Sequence, residues 1–117
     1  LINTSKSSGT ITATNNGNVQ ENFDIIGSDA TYSSYTWDIA DTPSTDVYKH
    51  SFTPAGEVET PLSETGDVGY KTLATNINPT GTKNFTLKMY TPSTAGAQTQ
   101  YGNEYSTNVT VRATQSP

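Results

Sequence analysis

The 117-residue chain contains no cysteine, so neither a disulfide framework nor a thiolate metal site can hold it together. Charge is also scarce. Asp, Glu, Lys and Arg make up 15% of the residues, against about 25% in an average globular domain. The six basic residues (Lys6, Lys49, Lys71, Lys83, Lys88, Arg112) are scattered and the net charge is -5. That balance argues against nucleic-acid phosphates and anionic membrane surfaces as partners. No apolar run approaches the roughly 18 residues of a membrane span, so no membrane insertion is expected within this segment. A helical period is missing throughout, and all six prolines fall between apolar runs or at the end of the chain, where a missing amide costs no ladder bond.

Polarity comes instead from Thr, Ser, Asn and Gly, with 22 threonines in the chain. Branched Thr side chains pack well on a pleated surface, so this composition suits strands. Seven alternating runs separated by turn-forming clusters give the pattern of an all-β sandwich. They are Thr10 to Thr14, Val19 to Ile26, Tyr35 to Ala40, Asp46 to Phe52, Tyr70 to Ala74, Lys83 to Tyr90 and Tyr105 to Thr114. Residues 1–9 read as an N-terminal arm or linker, and residues 10–117 as one sandwich domain. The expected core centres on Trp37 with Ile11, Phe23, Ile25, Ile39, Leu73, Phe85, Leu87, Val109 and Val111. Val19 shares the inward phase of Phe23 and Ile25. The longest connection, residues 53–69, contains at most an irregular edge strand near Val58.

Asn16-Gly17 is a strong hairpin signal, yet a two-residue hairpin there puts Ile11 and Ala13 on one face and Val19, Phe23 and Ile25 on the other. A one-residue slip flips a strand's whole apolar set, so that pairing is poor. A chain that crosses from one sheet to the other at residues 16–18 removes the conflict. Gly17 would then adopt a positive φ.

The stretch "TITATNNGNVQENFDI" resembles the V-x-V-T-N-x-G-N…F-x-I segment of immunoglobulin-like domains on bacterial and archaeal surface proteins, the CARDB and NEW3 families. "WDIADTPSTDVYKHSF", "GTKNFTLKMYTPS" and "NVTVRAT" continue the same sandwich rhythm. The resemblance implies an immunoglobulin-like β-sandwich of about seven strands, serving as a repeated, non-catalytic spacer or assembly unit outside the cell. Domains of this kind usually begin with a further strand, for which only "LINTSKSSG" is present.

Candidate chemistry is thin. His50 is the only histidine and lies mid-strand in phase with Tyr48 and Phe52, which is the position of a structural residue. No G-x-S-x-G or phosphate-loop motif occurs, so no catalytic residue, no enzyme activity and no cofactor is expected. Asp38, Asp41 and Asp46, and likewise Glu57, Glu59, Glu64 and Asp67, cluster in loops without the spacing of a calcium loop; solvated carboxylates account for them and no metal site is assigned. Tyr32, Tyr90 and Tyr101 stand at strand ends or in loops, where rings can contact a glycan. Asn3, Asn84 and Asn108 begin N-x-[ST] sequons and are the candidate glycosylation sites.

The expected function is that of an extracellular or cell-surface structural module, a self-assembling subunit of a filament, pilus or surface layer. Its partners would be other copies of itself. The alternative is a carbohydrate-binding or adhesin-type module of a larger secreted protein. The assembly residues expected are Leu1 and Ile2, as anchors of an arm donated to a neighbouring copy, and Tyr105, Val109 and Val111 on the final strand that would receive it.

Overall fold

The computed structural model describes residues 2–64 and 69–116. Asp67 and the end of the long connection lie outside the described residues, as does Leu1. The described chain forms ten strands and no helix: β1 (Ser5–Ser7), β2 (Ile11–Thr14), β3 (Glu21–Ile26), β4 (Ala30–Tyr32), β5 (Tyr35–Ile39), β6 (Val47–Pro54), β7 (Thr60–Pro61), β8 (Lys71–Ile77), β9 (Thr82–Tyr90) and β10 (Thr110–Gln115). They build two open sheets. The first runs β1-β9-β6-β5-β4, with β2 also on β9 and β7 on β6; the second runs β10-β3-β8. The fold is therefore the all-β sandwich expected from the alternation, with ten strands instead of about seven.

Alternation explains which faces meet. Phe23 and Ile25 of β3, Leu73 and Ala74 of β8, Phe52 of β6 and Phe85 of β9 close into the main core together with Leu62. Each buried Phe, Ile or Leu contributes about 1.5–3 kcal/mol by leaving water. Trp37 is buried as expected, but it does not stand at the centre. It forms a second cluster with Ala30 and Tyr48, and Ile39 touches both clusters. The main core lies between the two sheets. The second cluster is closed by the loop through residues 95–108, where Tyr105 stacks on Trp37 with ring centroids 3.8 Å apart.

Three expectations are refined. The edge strand allowed near Val58 lies slightly later, where β7 pairs with β6, and Leu62 is fully buried. Gly27 makes room for it, since a Cβ there would come within 3.1 Å of Leu62 Cβ. Val58 instead points to solvent. Second, the crossing at residues 16–18 is observed, because β2 belongs to the first sheet and β3 to the second. Gly17, however, is not among the residues with positive φ, because Asn15 makes the corner. Its buried side-chain Oδ1 accepts the Gly17 N–H at 2.8 Å, and its Nδ2 donates to the carbonyls of Val19 and Ile77. Val19 is released to the surface. Third, residues 3–8 of the segment read as an arm or linker lie along the first sheet. Ser5–Ser7 pair with Lys88–Tyr90, and the Asn3 N–H donates to Pro92 O at 2.8 Å. The reason is length: β9 has nine residues and β2 covers only four of them, so the preceding residues satisfy the rest of that edge.

Candidate functional site: an open seam between the sheets

Over the main core the first sheet is four strands wide (β2, β9, β6, β7), whereas the second has only three (β10, β3, β8). β2 and β10 stand at one side of the sandwich, and the space between them is open. Ile11 and Ala13 from β2 and Val111 and Ala113 from β10 line a groove of about 310 Å³ whose floor is Phe23 and Phe85. Register places these side chains there. Ile11 lies opposite Phe85, Val111 opposite Ile25 and Ala113 opposite Phe23, so all share the inward face. Inward phase without a cover leaves Ile11 36% and Val111 39% exposed. Both were expected in the core, and the open groove between β2 and β10 is why they are not.

Farther along β9, a second apolar hollow of about 300 Å³ opens between Leu87, Met89 and His50 on one side and Lys6, Ser7 and Ser8 on the other. His50 is buried and its Nδ1 has no hydrogen-bond partner among the described residues. Burial disfavours the imidazolium and holds its pKa below the ordinary value.

Of the five assembly residues named from sequence, Leu1 lies outside the described residues and the other four separate. Val111 lines the seam. Val109 is half-buried against the main core. Tyr105 lies ahead of β10 and is an internal strut: its hydroxyl donates to Gln98 O and accepts the Gln100 N–H. Ile2 sits near Trp37, Thr99 and Tyr101, away from β10. The donated-arm arrangement is thus corrected, since β1 is bound within its own sheet and the free edge of β10 remains uncovered by it. Ile11 and Ala13 of the seam were not among the five, and neither was Ala113. Its alternation with Val111 carried the signal, but a small side chain gave it little weight.

Other candidates are accounted for locally. Asp46 does not stand with Asp38 and Asp41 as a ligand set; its carboxylate accepts the N–H groups of Gly96 and Gln98 and the hydroxyl of Thr99. Partial burial works against its ionisation, but those hydrogen bonds outweigh it and hold its pKa below the ordinary value. Trp37 Nε1 donates to the same Thr99 hydroxyl at 3.1 Å, which ties the loop to β5 and β6. Glu59 accepts from Ser51 and from Tyr90, whose ring lies between the ammonium groups of Lys49 and Lys88, each 4.8 Å from its centroid. Among the described residues no group of three or more His, Asp or Glu is placed to hold a metal ion. Tyr32 is half-buried, with its ring 6.5 Å from that of Tyr35, and Tyr101 stands alone and exposed. Asn3, Asn84 and Asn108 are all exposed, and Asn84 accepts the Thr12 hydroxyl.

No family model, no curated protein and no solved structure matches this chain.

Proposed function

We propose that the chain is an extracellular structural module that assembles with copies of itself, in a filament, pilus or surface layer, through the seam between β2 and β10. One observation carries this reading: an apolar groove lies directly beside a regular strand edge that no described strand pairs with. An added strand can supply backbone hydrogen bonds to the edge while its alternate side chains fill the groove. Exposed edges of this kind recruit strands unless charges, prolines or bulges blunt them. β10 has no proline, and its one charged residue, Arg112, points to the other face, against Asp24 and the Tyr70 ring. The scarcity of charge elsewhere suits surfaces that lie against their own copies, and the exposed sequon asparagines leave room for glycans.

Light scattering over a range of concentrations, followed by negative-stain microscopy, tests the proposal. Growth into particles of regular outline is expected. Val111→Lys places a charge at the mouth of the groove and should suppress that growth while leaving the far-ultraviolet circular dichroism unchanged. A monomer that persists at high concentration would overturn the assembly reading.

A further inference from the structure

Building on that assembly reading, we infer that the contact at the seam is an antiparallel pairing of β10 with β10 of a second copy, centred on Ala113 facing its own symmetry mate. The ladder with β3 decides which backbone groups are available. The Ser116 N–H donates to Gln20 O at 2.9 Å, and the register between β10 and β3 is constant over all six residues of the strand. Hydrogen-bonded and non-bonded pairs alternate along an antiparallel ladder. Thr110, Arg112 and Thr114 therefore bond to β3, and the N–H and C=O groups of Val111, Ala113 and Gln115 point out of the sheet.

A partner strand must answer those three residues with outward groups of its own, and a second β10 does. Charge then selects the register. Centred on Arg112, the pairing sets two guanidinium groups directly opposite each other, which is unfavourable. Centred on Thr114, it keeps fewer bonded pairs within the strand. Centred on Ala113, it makes three: Ala113 with Ala113, and Val111 with Gln115 in both directions. Arg112 then faces Thr114 of the second copy. Residues directly opposite in a ladder share a face, so Val111 and Ala113 of the second copy lie on the same face of the joined sheet as their counterparts.

The other edge of the second sheet is unsuited to this pairing. The register of β8 against β3 shifts twice around Phe23, and Asn76 at its end has φ 56°. Bulges of this kind twist an edge away from pairing. Within the second sheet the contact is thus confined to β10 and makes the two three-stranded sheets continuous across a two-fold axis; such a contact closes as a dimer, so the assembly grows by joining these dimers through a different surface.

The absence of cysteine makes the test direct, because an introduced thiol is the only one in the chain. Bonded partners in an antiparallel ladder have Cα atoms about 5.5 Å apart, within disulfide reach. Ala113→Cys should therefore give about tenfold more covalent dimer on mild oxidation than Arg112→Cys or Thr114→Cys, whose copies lie diagonally and farther apart. The double variant Val111→Cys, Gln115→Cys should also cross-link between copies. Equal cross-linking at positions 112, 113 and 114 would overturn the pairing. So would polymers that grow without any cross-link at 113, a result that leaves the assembly reading intact. Cross-linked dimers that never grow further would support the pairing and overturn the polymer.

Discussion

Asn15 carries more of this structure than its type suggests. It is a fully buried amide whose three hydrogen bonds join the end of β2, the corner at Gly17 and the end of β8. Replacing it with Ala strands the Gly17 N–H and two carbonyls, and a buried polar group left unpaired costs about 1–3 kcal/mol. Asn15→Ala should therefore lower stability by about 3 kcal/mol in urea melts, with the slope of the transition unchanged. His50 makes a second prediction at this scale. Its folded-state pKa is depressed by burial, so the unfolded chain takes up a proton first as the pH falls. Stability should be full above the ordinary histidine pKa of about 6.5 and decline as the pH drops from there toward the folded pKa. His50→Gln should flatten that part of the stability–pH curve, as read from thermal midpoints between neutral and mildly acidic pH.

Among the elements, β7 is the one that sequence pattern conceals most. Two residues long, it contains a proline and sits in a stretch rich in turn formers and acidic residues. Yet it pairs with β6 and delivers Leu62 to the main core. Leu62→Ala should cost about 2–5 kcal/mol, the range for truncating a buried leucine, whereas Val58→Ala, four residues earlier on the exposed turn, should leave the urea midpoint unchanged. β1 and β4 matched no alternating run either, and β10 begins five residues after its run does; β2, β3, β5, β6, β8 and β9 were legible because their apolar residues recur every second position, and all lie within two or three residues of the runs that predict them. Alternation says which residues share a face but not whether anything covers that face. For that reason Ile11 and Val111 read as core, although they line the seam.

At the scale of the whole molecule, the N-terminal residues belong to the domain. β1 satisfies the part of β9 that β2 does not reach, and Ser8 accepts the Leu87 N–H through its hydroxyl. Deleting residues 1–8 should lower the thermal midpoint, since it uncovers the edge of β9 and the hollow beside His50. It should leave concentration-dependent association intact, because the seam at β10 does not use the arm. Light scattering and thermal melts on the truncated chain check both halves of this expectation. Loss of association with an unchanged midpoint would restore the donated arm.

Local chemistry in the sequence determined the all-β class, most strands, the crossing between sheets at residues 16–18 and the absence of any disulfide. Each follows from nearest-neighbour sterics, from a period of two or from residue type alone. Tertiary structure decided the rest. Whether an inward-facing residue is buried depends on what lies over it, and whether an edge is free depends on which segments reach it. Both are set by pairings between residues as far apart as Ile11 and Phe85, or Phe23 and Ala113, and no local pattern encodes them.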